Sequence, residues 1–340
     1  MSDFTDIFDI AGELKVGFET AINTDDFLTI HLESLRLNSV LQFDLYIHNG
    51  ADIILYRNAL LPFTEKNRET LLENNIRQLY VPVSMRGLYQ SYIETNIKAI
   101  LDDPVVDDRV KASIVYDSAN SLVREVLSKP TLGENIKRSQ HLVENTVSFI
   151  LSKKSAFYNL LKVMSFDYYT YSHSVNVCTF SLALARYIGI DDIDELNILG
   201  TGALLHDVGK IRIDEAILNK KEPLTEEEVD IIQMHPYWGY EILQETDLLS
   251  AVSYYPIVQH HEREDRSGYP RKLGADEIHL YSKIVAIADV FDAMTTRRVY
   301  RSAIEPYPAL KEMFENRKAF NIHLLEQFTL MMGPGSADNR

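Results

Sequence analysis

Apolar spacing changes character along the chain. Up to about residue 100, apolar positions alternate with polar ones over short runs, as in Phe27-Leu28-Thr29-Ile30-His31-Leu32 and Leu41-Gln42-Phe43-Asp44-Leu45-Tyr46-Ile47. That is the spacing of half-buried strands. Asn49-Gly50 ahead of Ile53-Ile54-Leu55-Tyr56 is a hairpin signal. Phe63 to Asn74 is charged and helix-permissive, and Arg77-Gln78-Leu79-Tyr80-Val81-Pro82-Val83 predicts one more strand, stopped by its proline. Beyond Tyr89 apolar residues recur three and four apart, for example from Ile114 to Leu127 and from Leu142 to Ile150, which predicts packed helices. Pro104 and Lys129-Pro130-Thr131 interrupt that pattern. The expected fold is mainly α: a small α/β module over 1–100, connecting helices over 101–130 and an all-helical domain over 131–335, with a frayed tail from Gly333 to Arg340.

Composition narrows the function. A length of 340 residues exceeds one ordinary core, and 46% apolar with 25% charged residues is the balance of a folded chain. Fifty acidic against thirty-four basic residues give a net charge of −16, which repels a nucleic-acid backbone and removes DNA from the expected partners. A single cysteine, Cys178, makes no internal disulfide and is most simply a small core residue. The acidic start Met1-Ser2-Asp3-Phe4-Thr5-Asp6 is unlike a signal peptide, and apolar stretches such as Ile284 to Ala288 fall short of the roughly 18 residues of a membrane span. A cytoplasmic location without membrane insertion is therefore expected.

The chemistry lies in the histidines. Six of ten fall between positions 173 and 279, most of them beside carboxylates or one another. Leu204-Leu205-His206-Asp207-Val208-Gly209-Lys210 reads as an apolar helix end with Gly209 as its C-cap. Adjacent helical residues diverge by about 100°, so His206 and Asp207 need partners from other helices to form a site. His260-His261-Glu262 follows another apolar helix, and two consecutive histidines there are expensive unless each ring finds a ligand or a hydrogen bond. His235 is expected on a helix that starts at the capping box Thr225 to Glu228 and breaks at Pro236. His173 opens an amphipathic helix, and Asp289, flanked by Ala288 and Val290, is preferred over Asp292 by local burial. Taken alone, His206-Asp207 reads better as a structural helix-end pair, and His235 reads at least as well as an interfacial helix-end histidine as it does as a ligand. Together these five histidines and two carboxylates suffice for two metal ions with one bridging carboxylate. Imidazole and carboxylate donors suit iron, manganese, zinc or cobalt, and a metal pair points to displacement at phosphorus.

His206-Asp207-x-Gly-Lys, His235-Pro-x-x-Gly, His260-His261-Glu and Gly268-Tyr269-Pro270, in this order and spacing, resemble the HD-GYP branch of the HD superfamily, most strongly over about residues 150 to 305. The resemblance implies a helical phosphodiesterase of the bacterial second messenger cyclic di-GMP, yielding linear pGpG, GMP or both. It implies that His173, His206, Asp207 and Asp289 hold one metal while Asp207 bridges to a second held by His235, His260 and His261, with iron favoured and manganese or another divalent ion as alternatives. Lys210 and Asp207 take the catalytic positions, Lys210 facing the scissile phosphate or leaving oxygen. Arg298 and Arg301 keep two family arginine positions. Three residues apart, they share one direction if the Asp289 helix continues, and would grip the non-scissile phosphate. Arg266 stands where the family often has glycine, and Tyr169 where some members carry a glutamate for a third metal, which favours a binuclear site. A second expectation, motivated by Arg266 and by the unassigned first module, is a catalytically weak dinucleotide-binding module, or one that docks a protein partner through the first module or the Gly-Tyr-Pro loop. A third, a mononucleotide phosphohydrolase, fits the Gly-Tyr-Pro loop less well.

Overall fold

The computed structural model describes residues 26–49, 52–128, 132–153, 155–164, 170–296 and 303–333. The chain divides into two compact units, Met1–Tyr89 and Gln90–Arg340. Lys129-Pro130-Thr131, Tyr169 and the tail beyond Gly333 lie outside the described residues.

In the first unit, β1 (Phe27–His31), β3 (Leu45–His48), β4 (Ile53–Arg57) and β6 (Gln78–Pro82) form an antiparallel sheet in the order β1-β6-β3-β4. Alternation decides its inner face: Ile30, Leu45, Ile47, Leu79 and Val81 are all buried. β2 (Ser39–Val40) pairs separately with β5 (Pro62–Phe63), and α1 (Glu65–Glu73) starts at a capping box between Thr64 and Asn67. The strand expected from Leu41 begins only at Leu45. Gln42 has a left-handed backbone, φ 66°, which breaks the extended run, and Asp44 instead accepts the Ala59 backbone N–H at 2.7 Å. Leu41 and Phe43 still plug the core, but from a loop.

The second unit takes in most of α2 (Arg86–Asp102), then α3 (Asp108–Ser128), α4 (Leu132–Ser152), α5 (Ala156–Val163), α6 (Thr170–Tyr187) and α7 (Ile193–Leu204). Short helices α8 (Glu215–Leu218), α9 (Glu226–Gln233), α10 (His235–Gln244) and α11 (Tyr254–Gln259) follow, then α12 (Leu280–Thr295), α13 (Pro306–Glu315) and α14 (Ile322–Met332). The helices placed at 101–130 are not spacers: α3 contributes Ala112, Val115, Ala119, Leu122 and Val123 to the same core as α4 to α7. α6 was expected to be amphipathic and is not. It packs against α3, α7, α12 and α14, and even its polar residues Ser174, Asn176 and Ser181 are buried. A helix enclosed on every side can carry ligands only if other buried groups satisfy them. Cys178 lies in this core, its thiol 3.4 Å from the Gly200 carbonyl and its pKa pushed up to about 12 by burial. Among the described residues, no helix is long and apolar enough to cross a membrane.

Candidate metal centre

His173 sits in the first turn of α6, and Asp289 within α12, packed directly against it. α7 ends at Leu204, so His206 and Asp207 occupy the turn between it and a short 3-10 segment, Val208–Arg212. Leaving the helix there frees the two adjacent side chains to face different partners. Gly209 is not the left-handed cap that the sequence suggested. A methyl group on it would stand 2.0 Å from the His235 carbonyl oxygen, so the glycine is needed for close approach to α10. His235 does not end the helix that begins after Thr225; that helix stops at Gln233, and His235 opens α10 with Pro236 in its first turn, where a missing N–H costs nothing. His260 caps α11, with His261 next in the chain.

These residues form two groups, His173, His206 and Asp289, and Asp207, His235, His260 and His261, each with its ligand atoms within 4.8 Å of one another. Asp207 lies between them. Its Oδ2 is 3.5 Å from His206 Nε2 and 3.8 Å from His173 Nε2, while its Oδ1 is 3.3 Å from His235 Nε2 and 3.9 Å from His260 Nε2.

The hydrogen bonds fix which ring nitrogens carry protons. Nδ1 of His206, His235 and His260 lies 2.7 Å from Ala203 O, 2.7 Å from Ile232 O and 2.9 Å from Pro256 O, and a carbonyl can only accept. Burial lowers the pKa of all three, that of His235 to about 4, so they are neutral and each turns an Nε2 lone pair inward. His235 Nε2 and His260 Nε2 therefore face each other at 3.1 Å as two acceptors. His206 Nε2 and Asp207 Oδ1 are buried with no hydrogen bond. Buried acceptors converging without donors suit a cation. Burial would raise the Asp207 pKa, but the Lys210 ammonium, together with a charged His173, holds its carboxylate well below the usual range. His173 differs: burial opposes its charge, yet Asp289 Oδ1 at 3.1 Å and Asp292 Oδ2 at 2.7 Å outweigh it and push its pKa up to about 10. The donor set fits a metal centre, with Asp207 between its two groups.

Residues 147–322 match the family model described as HD domain. The chain belongs to the HD-domain family. Its His260-His261-Glu262 and Gly268-Tyr269-Pro270 motifs resemble those of the HD-GYP branch. The chain is 31% identical over 224 residues, 65% of its length and 54% of the relative's, to a cyclic di-GMP phosphodiesterase of Pseudomonas aeruginosa. It is 38% identical over 148 residues, 44% of its length and 32% of the relative's, to the 3'3'-cGAMP-specific phosphodiesterase 3 of Vibrio cholerae. The chain thus spans about a third to a half of these relatives' own length. A solved HDG"Y"P protein of Bdellovibrio bacteriovorus shares the fold, with a TM-score of 0.62 at 23% identity over 91% of this chain and 100% of that one.

The Gly-Tyr-Pro loop is tied to the ligand-bearing segment by Glu262, a residue that sequence reasoning left without a role. Buried, it accepts the backbone N–H of Arg271 at 2.7 Å and of Leu273 at 2.8 Å. Gly268 packs so closely that a methyl group would stand 2.4 Å from His261 O, and Tyr269 stacks on the His261 ring with centroids 4.6 Å apart. Burial raises the Tyr269 pKa, so its hydroxyl keeps its proton. Arg266 has φ 66°, a left-handed backbone that favours glycine. Its guanidinium turns to Glu277 at 2.8 Å and folds across Gly274, engaged within the loop. Lys210 Nζ lies 2.5 Å from Asp207 Oδ2, and its side chain remains 18% exposed.

Burial did not rank the α12 carboxylates correctly. Asp292 is 0% exposed against 6% for Asp289, yet Asp289 joins the ligand group and Asp292 backs His173. The helix expected to carry Arg298 and Arg301 ends at Thr295, with Thr296 extended. Both arginines lie outside the described residues.

Proposed function

We propose that this chain is a metal-dependent phosphodiesterase that hydrolyses cyclic di-GMP to pGpG, GMP or both, using two transition-metal ions, with iron favoured. His173, His206 and Asp289 would hold one ion and His235, His260 and His261 the other, with Asp207 available to both. The observation that carries this reading is Asp207 itself, one oxygen turned to each group. The relatives named for cyclic di-GMP and for 3'3'-cGAMP support the substrate class.

A bound metal pair supplies an activated water and stabilises the oxygens entering and leaving phosphorus. The chain's own groups do the rest. The Lys210 ammonium, close to Asp207 and still partly exposed, neutralises a phosphoryl oxygen or gives its proton to the leaving oxygen. Tyr269 covers one face of the His261 ring and bounds the substrate position. Arg298 and Arg301 are assigned to the non-scissile phosphate. Nothing in the fold favours the weak-binding alternative, since the Arg266 side chain is engaged within its own loop. The first unit is assigned a regulatory role, open to a protein partner, and the protein a cytoplasmic location.

Anaerobic expression with iron and manganese, elemental analysis, and product chromatography on cyclic di-GMP and 3'3'-cGAMP test the proposal. It predicts metal-dependent release of linear dinucleotide or mononucleotide from cyclic di-GMP. Metal-loaded protein that leaves both dinucleotides intact would overturn it. Calorimetric titration of cyclic di-GMP into Arg298→Ala and Arg301→Ala tests the phosphate assignment, which predicts weaker binding with unchanged metal content.

A further inference from the structure

Asp292 belongs to neither ligand group, yet it is fully buried beside the centre and faces three polar partners. Its Oδ2 lies 2.7 Å from His173 Nδ1, while its Oδ1 accepts from Asn176 Nδ2 at 2.8 Å and from Thr296 Oγ1 at 3.1 Å. Asn176 is oriented in turn, because its Oδ1 accepts the Tyr116 hydroxyl at 3.0 Å and so turns its amide nitrogen to Asp292. Every group in this chain of bonds is buried: Tyr116 on α3, Asn176 and His173 on α6, Asp292 on α12.

We propose that Asp292 is a positioning residue that fixes the proton of His173 on Nδ1 and so presents Nε2 to a metal, held in place by Asn176 and Tyr116. The inference rests on the metal reading given above. His206, His235 and His260 set their tautomers by donating to carbonyls of their own preceding turns, which no side-chain substitution removes. His173 takes an acceptor from another helix, so its orientation can be removed by one substitution. Carboxylates behind metal-bound histidines typically account for about 10- to 100-fold in metal affinity.

Asp292→Asn keeps the shape and reverses one polarity. The new amide nitrogen must face either His173 Nδ1–H or the donors from Asn176 and Thr296. Titration of manganese into chelator-stripped protein is expected to show two sites in the parent. In the variant, one site should be weakened by about 10- to 100-fold and the other kept. Combining Asp292→Asn with Asn176→Asp moves the acid one link along, so the amide donates to it and its own oxygen accepts from His173. That pair should regain most of the lost affinity, which a merely structural role does not predict. Parent-like affinity at both sites in Asp292→Asn, or no recovery in the pair, overturns the inference. A parent that binds no metal overturns the metal reading as well. A measurement without variants covers failure to fold: in zinc-loaded, 15N-histidine-labelled protein, His173 must carry its proton on Nδ1, and zinc on Nδ1 overturns the proposal.

Discussion

In the half of the centre built by His235 and His260, each ring is turned by a carbonyl three or four residues back in its own chain, whereas His173 in the other half is turned by a carboxylate 119 residues away. The two arrangements leave opposite electrostatics. Burial leaves His235 and His260 neutral, while the paired carboxylates hold a proton on His173 in the metal-free protein. One half is set by local helix geometry and survives as long as α10 and α11 form. The other shares that local device at His206, turned by the Ala203 carbonyl, but at His173 it depends on the register of α6 against α12, and so on the long-range packing of the core. Asp207 joins them from a turn outside any α-helix.

Removing the joint should have the largest effect. Asp207→Ala is expected to empty both positions and to lower turnover by more than the about 10²–10³-fold of a single lost contact. Elemental analysis showing one ion retained would mean the halves bind independently. Lys210→Ala should keep both metals and lose turnover by on the order of 10²-fold. Equal rates would make Lys210 a helix-end lysine that only neutralises Asp207.

Proton linkage separates the halves in the chelated protein. The His235 pKa is lowered from 6.5 to about 4, so the unfolded chain takes up a proton that the folded one refuses, and stability is lost as pH falls from 6.5 towards about 4. The His173 pKa is raised from 6.5 to about 10. Its contribution is full below 6.5 and lost as pH rises towards about 10. Urea unfolding across pH should show both limbs, with His235→Gln flattening the acid limb and His173→Gln the alkaline one. Variants that change neither limb would contradict the assigned protonation states.

The smallest effect is expected at Arg266. Arg266→Gly relieves a left-handed residue but gives up an exposed, solvent-screened ion pair, two small effects of opposite sign, and should leave metal content and turnover unchanged. A changed rate would bring Arg266 into the substrate path.

How much of this was legible depended on how local the signal was. His206-Asp207 and His260-His261 stand out because adjacent polar residues at apolar helix ends need an explanation, and the resemblance supplied the grouping of all seven residues that now lie in two clusters. Asp292 was passed over because its partners His173 and Asn176 come from another helix, and flanking residues say nothing about what faces a carboxylate across the core. Leu41 and Phe43 imitated a strand because alternating burial is also what a loop shows when it plugs a core, and the left-handed Gln42 between them left no mark in the spacing. Gly209 could be recognised as required, but a glycine forced by close approach to another helix looks the same in sequence as a glycine at a helix end.

The bridging role of Asp207 is tested most directly by anomalous diffraction from crystals of the manganese-loaded protein. The account predicts two peaks flanking the Asp207 carboxylate, one bounded by His173, His206 and Asp289 and the other by His235, His260 and His261. A single peak, or two peaks that share no contact with Asp207, would contradict it.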